Sequence, residues 1–377
     1  MINLLGLHNF DQMIGTFRYY LALVDLLNVV VIYFFLKKIR ISSPMFWAGV
    51  VGLLPSSWVG TSYWGQIDNI GQSIILAIFL WTASFNLTST AGGIRPSLFA
   101  VVTGLLFAAL VLTKQLVMFS MISLGLMVVV NFTLTSKKWM SLFFLLFLFV
   151  FSLFLPIIII DQLIKIPSPY FSHLQYILMT GSSHGDVITS YGFNIWSLFV
   201  ADPFASSHNP LTFALGKFIQ FDITPFETGI ALFLLTNLFL FIFIVIYFRK
   251  RHITAHYSFN VDDIVFWLLH LGLVNLSFNL FLTGTHERYL YYFYPYAIIA
   301  FLGVSFVKKR GIYILLAGAF FYGAFLFGYL TGWNLIFGSL VFDGMCIFHS
   351  MLFVYMYIAF IRHVRIVNNN MDQVVVR

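Results

Sequence analysis

The sequence predicts an all-α, polytopic membrane protein of about eleven spans, with one long non-cytoplasmic loop. Three observations lead there. Apolar residues make up 60% of the 377 and charged residues 9%, with a mean hydropathy of +0.94, a balance that a soluble core of this size does not need. Runs long enough to cross roughly 30 Å of hydrocarbon recur along the whole chain. Basic residues cluster at every second gap between those runs, so the net charge of +7 reads as membrane topology and not as a nucleic-acid surface.

The runs are 17–36, 45–63, 69–86, 97–113, 115–135, 141–160, 229–248, 261–283, 290–307, 311–330 and 336–361. Lys37, Lys38 and Arg40 follow the first, Arg95 the third, Lys137 and Lys138 the fifth. Arg249, Lys250 and Arg251 follow the seventh, Lys308, Lys309 and Arg310 the ninth, and Arg362, Arg365 and Arg377 the last. The positive-inside rule makes that side cytoplasmic. Asp68, Asp161, Asp186, Asp202, Asp222, Glu227 and Glu287 fall on the other side, with Arg18, Lys114, Lys165, Lys217 and Arg288. The polar chemistry is therefore expected on the non-cytoplasmic face. Residues 1–377 read as one membrane domain, without a repeat or a soluble module. Cys346 lies in an apolar run and reads as an inert small residue.

The outer segment, about 161–228, is too long for a plain connection. Its aromatic residues, among them Tyr176, Tyr191, Phe193 and Trp196, predict order, as short amphipathic helices on the membrane surface.

Three short strings carry the chemistry. His286-Glu287-Arg288-Tyr289 joins two apolar runs and holds one of the only two glutamates, the other being Glu227. Charge at the mouth of an apolar segment is costly and is usually kept for function. Arg offers a phosphate a bidentate fork and His a titratable donor. The start of the next span would add free N–H groups and a positive dipole end. Glu287 suits the role of orienting Arg288.

Trp64-Gly65-Gln66-Ile67-Asp68 forms an outer turn. Gln and Asp are hydroxyl-binding side chains and Trp stacks on a sugar ring; equally, Trp64 fits an interfacial anchor and Asp68 a helix cap. Lys114-Gln115 forms a tight outer turn, where the lysine either snorkels to the interface or serves as a point charge for a phosphate. Asp25 sits about two turns into the first span, as a functional acid or a buried structural partner. No HExxH, CxxC or DxD string is present, so neither a metal site nor a cofactor is expected.

WGQID (64–68), TKQ (113–115), GFNIW (192–196) and HERYLYYFYP (286–295), in that order, resemble the GT-C glycosyltransferases, most closely bacterial mannosyltransferase-like members with WGQxD and HERYLYP strings. They are more distantly similar to the dolichyl-phosphate-glucose glucosyltransferases. The likeness runs from residue 17 to about 300. It implies a metal-independent, inverting transfer of a hexose from a polyprenyl-phosphate donor to a lipid-linked glycan or protein acceptor, at the outer face of a bacterial plasma membrane. His286, Arg288 and Lys114 would hold the donor phosphate. Trp64, Gln66, Glu287, Tyr289, Asn194 and Trp196 would contact substrate, and no nucleic acid would be a partner.

The family's general base lies in a first outer loop that this chain lacks, which leaves Asp68 as the catalytic carboxylate. An odd number of spans also places the N-terminus outside with no leader in residues 1–16. Both points lead to the expectation of an N-terminally shortened member that lacks transferase activity on its own, acceptor activation without the base falling by roughly 10²–10⁴-fold. The rival readings are a transporter or flippase, which would need a charged path or an inverted repeat, and a polymerase of lipid-linked saccharides, which would need Arg-rich outer loops.

The topology is open to test. On a Cys346→Ala background in intact cells, a cysteine at Asp186 should react with an impermeant maleimide, and one at Lys309 only after permeabilisation. Equal labelling of both would refute the charge-derived topology.

Overall fold

A computed structural model describes residues 10–85, 96–114, 117–136, 138–164, 172–182, 186–200, 202, 204–215, 219–249, 260–304, 309–332 and 334–375. Arg95, Gln115, Lys137, Lys165, Lys217, Lys250, Arg251, Lys308 and Arg377 lie outside them. The described chain is a helical bundle: α1 Phe10–Lys38, α2 Pro44–Leu53, α3 Pro55–Trp58, α4 Asp68–Ser84, α5 Pro96–Thr113, α6 Val117–Thr135, α7 Trp139–Leu163 and α8 His173–Ser182. After the outer loop come α9 Pro225–Arg249, α10 Val261–Phe281, α11 Tyr294–Gly303, α12 Lys309–Leu330 and α13 Asn334–Val375. Among the described residues, eight helices are long and apolar enough to cross a membrane: α1, α5, α6, α7, α9, α10, α12 and α13. An integral membrane protein follows.

Two of the eleven expected spans are interrupted. The run 45–63 is broken. Leu54 is extended (ψ 133°) before Pro55, and the chain continues as the short α3 and a π turn, Val59–Tyr63. Proline excludes the α conformation from the residue before it, and hydropathy does not register that break. The run 290–307 opens with a 3-10 turn, Tyr289–Tyr292, and turns α-helical only at Tyr294, with Pro295 in its first turn. The run 69–86 is α4, which ends at Ser84. In the other direction, α13 continues past the expected end at 361, carrying Arg362 and Arg365 with it.

The centre is α10, buried along nearly its whole length and packed against α6, α9, α11 and α13. Asn260 starts it with a capping box: its side chain accepts from the Asp263 amide at 3.1 Å, and the Asp263 carboxylate accepts from the Asn260 amide at 2.9 Å. That satisfies donors that lipid would leave bare. The polar residues of α10 find partners on α6. His270 Nδ1 lies 2.8 Å from Ser123 Oγ, and Asn275 bonds Ser120. His349 on α13 meets the Tyr294 hydroxyl at 2.7 Å. Both histidines are packed core residues.

The outer segment departs from the expectation of surface helices alone. It contains α8, held where Asp161 accepts from the His173 amide at 2.8 Å. It also contains an antiparallel hairpin, β2 Leu211–Leu215 with β3 Ile219–Ile223. Its middle pairs with the motif 284–287: strand β1, Thr189–Ser190, runs parallel to β4, Thr285–His286, with Thr189 opposite Thr285 and Ser190 opposite His286. The loop thus supplies hydrogen-bond partners to an irregular backbone that would otherwise lack them.

Helices α5 and α7 pack through Gly104, where an added Cβ would lie 2.5 Å from the Phe149 carbonyl oxygen and 2.7 Å from Ser152 Cβ. Gly49 on α2 has nothing within 4 Å of that position. Gly104→Leu should therefore destabilise the protein in detergent by about 1–3 kcal/mol, and Gly49→Leu should not. Equal thermal shifts for the two variants would count against this packing.

Candidate functional site

The turn 64–68 exists because the chain leaves the π turn through Gly65, whose φ of 91° suits a residue without a Cβ. Residues 66–68 are thereby aimed at the α5–α6 turn. There Lys114 Nζ sits 2.8 Å from Asp68 Oδ2 and 3.3 Å from Gln66 Oε1. Asp68 does not cap α4, and Lys114 turns inward to pair with it.

Burial pulls the Lys114 ammonium below its ordinary pKa. Asp68 acts against that shift, Arg288 adds to it, and Glu287 opposes it more weakly. That list also places the two strings in one electrostatic site, although Lys114 and Arg288 lie far apart in sequence. A further tie runs from Tyr292, whose hydroxyl donates to the Asp68 carbonyl at 3.0 Å.

In the second string, Glu287 orients Arg288: the guanidinium donates to its carboxylate at 3.3 Å, and His286 Nδ1 lies 3.8 Å from the other carboxylate oxygen. The guanidinium carbon stands 5.4 Å from the Trp64 ring centroid and 5.7 Å from that of Tyr289, distances at which cation–π attraction operates. Burial raises the Tyr289 phenol to about 12, so it remains a neutral donor. The helix-end contribution expected here is absent, because α11 begins only at Tyr294.

The layering is the main feature. The two carboxylates lie beneath, with side chains 3% exposed for both Asp68 and Glu287. Lys114 and Arg288 stand above them at 14% and 20%, with the His286 imidazole alongside at 16%. Asp68 Oδ1 and Arg288 Nε are buried without a hydrogen-bond partner. An acceptor and a donor left open in one small region are unusual in a packed interior.

Asn194 and Trp196 are used differently from expectation. The Asn194 amide donates to the Ile188 carbonyl at 2.7 Å and to Thr285 Oγ1 at 3.2 Å, and its oxygen accepts from Ser197. Trp196 Nε1 donates to the Phe281 carbonyl at 2.6 Å. Their polar groups are consumed in docking the outer loop beside the 284–288 string. As positioning residues, they leave no free group for a substrate.

Two tyrosines that sequence reasoning did not place in the site lie beside it. Tyr191 holds φ 62°, a left-handed conformation rare for a residue of its size. It bridges to His286 and packs 5.4 Å from Tyr329. Tyr329 in turn lies 6.1 Å from Trp64. The only sequence signal was the Tyr191-Gly192 pair: a Cβ at Gly192 would collide with Thr285.

No family model, curated protein or solved structure matches the chain.

The buried ion pair gives a direct test. Removing one partner of such a pair costs about 3–5 kcal/mol, because the other charge is stranded. Lys114→Met and Asp68→Leu should each lower thermal stability strongly, and the double variant by less than the sum. Strict additivity would argue against the contact.

Proposed function

We propose that the chain is a glycosyltransferase of the GT-C type, moving a mannose- or glucose-like hexose from a polyprenyl-phosphate donor to a lipid-linked glycan or protein hydroxyl at the outer membrane face. The observation that carries the reading is the layering: partly exposed Lys114, His286 and Arg288 over the buried carboxylates of Asp68 and Glu287. Cations so placed are accessible to an anion yet held in position by charges that the anion does not reach. The aromatic side chains of Trp64, Tyr191 and Tyr329 beside them suit the apolar face of a pyranose, and the surrounding spans suit the lipid tail of the donor.

In this reading the acceptor oxygen attacks the anomeric carbon as the bond from that carbon to the phosphate oxygen breaks. Polyprenyl phosphate leaves with the bonding electrons. Arg288, Lys114 and His286 stabilise the charge that develops on it. The acceptor proton passes to Asp68, whose buried Oδ1 holds no hydrogen bond and is uncovered only as the acceptor displaces the groups above it. In this reading the counter-charge to the leaving phosphate comes from these side chains.

Losing a charge-assisted phosphate contact in a desolvated site costs on the order of 2–4 kcal/mol. Arg288→Ala should therefore weaken polyprenyl-phosphate binding in nanodiscs, followed by tryptophan fluorescence, by about 30-fold or more. Transfer of labelled hexose from the same carrier should fall by a similar factor and be insensitive to EDTA. Undiminished binding by Arg288→Ala would sink the proposal, as would EDTA inhibition reversed by Mn²⁺.

A further inference from the structure

A second polar site lies deeper, where α1 faces the broken segment 44–63. Asp25 sits within the α1 span, and its carboxylate accepts from Thr61 Oγ1 at 2.8 Å, from Ser62 Oγ, and from the Asn69 amide at 2.9 Å. All three donors are neutral. No lysine, arginine or histidine is paired with Asp25 among the described residues, although an acid inside a span is normally matched by a partner. Beside it is a cavity of about 10 Å³, room for one water-sized guest. Its lining combines five residues that carry side-chain oxygens, Asp25, Asn28, Ser57, Gln72 and Tyr291, with Val29, Ile32 and Gly52. Gln72 is 2% exposed, and its side-chain carbonyl oxygen has no hydrogen-bond partner.

From the unpaired carboxylate, the orphaned carbonyl and the one-guest cavity, we infer that this pocket binds a single alkali-metal cation, Na⁺. Hard cations take oxygen ligands of this kind, and sites at interrupted helices are the usual place for them within membranes. One carboxylate and otherwise neutral oxygens match one positive charge. The position also gives the ion a task. Thr61 and Ser62 belong to the π turn that leads directly to Trp64. Tyr291 precedes Tyr292, which bonds the Asp68 carbonyl. An ion at Asp25 would fix both strands of chain that support the outer site. The inference stands independently of the transfer reaction proposed above.

The full chain in nanodiscs should bind ²²Na⁺ saturably in a scintillation-proximity assay, displaced by NaCl and not by choline chloride. Asp25→Asn should abolish this binding. Gln72→Leu should weaken it at least tenfold; because the Gln72 oxygen holds no hydrogen bond, that variant removes a ligand without disturbing the network. Absence of saturable ²²Na⁺ binding by the folded wild type would overturn the inference, as would displacement by choline or unchanged binding by both variants.

Discussion

The ion pair between Lys114 and Asp68 is the constraint on which the outer end of the bundle depends. Three pieces of chain that hydropathy alone would let slide past one another are fixed there: the turn before α4, the α5–α6 turn, and, through Tyr292 and the Asp68 carbonyl, the 3-10 turn before α11. In a low-dielectric setting neither charge can be left alone, so the contact is close to compulsory. Its geometry then dictates the rest. Lys114 takes one oxygen of Asp68, Gln66 follows, Trp64 comes to lie against the Arg288 guanidinium, and Glu287 keeps that guanidinium from swinging away.

The same end of the molecule gathers the irregular backbone. Segments 54–67 and 284–293 interrupt what would otherwise be uniform helices, and each exposes amide and carbonyl groups. Membrane proteins tolerate such stretches only where protein or water meets them. Here the outer loop does so for the second segment. Thr189 and Ser190 pair with Thr285 and His286, Gly192 approaches the Thr285 carbonyl, and Asn194 closes the corner. The loop is part of the support on which the charged string rests.

The sequence announced the membrane helices because composition alone decides them, and it announced the charged strings because acids and bases are so scarce. Their convergence was legible to the extent that both fell on one side of the charge-derived topology. Other features were invisible for definite reasons. A hydropathy window averages over Pro55 and Pro295, so two interrupted segments looked like spans. The 211–223 hairpin has no Asn-Gly or Asp-Gly turn to advertise it. Asn194 and Trp196 carry the residue types of a sugar site, yet they serve as clamps, a distinction that only hydrogen-bond geometry reveals. Tyr191 and Tyr329 were two tyrosines among 19.

The π turn at Val59–Tyr63 contains one residue more than an α-helical turn would hold. Such a turn behaves as a spliced-in residue. Shortening it by one would restore regular helix, but everything beyond would rotate by about 100°, the angle that one residue subtends in an α-helix. Trp64, Gln66 and Asp68 would then face a different quarter of the bundle, with Lys114 left behind. The chain is therefore far less tolerant of a deletion between 59 and 63 than of most substitutions there. Length in this stretch, more than side-chain identity, is what aims the site.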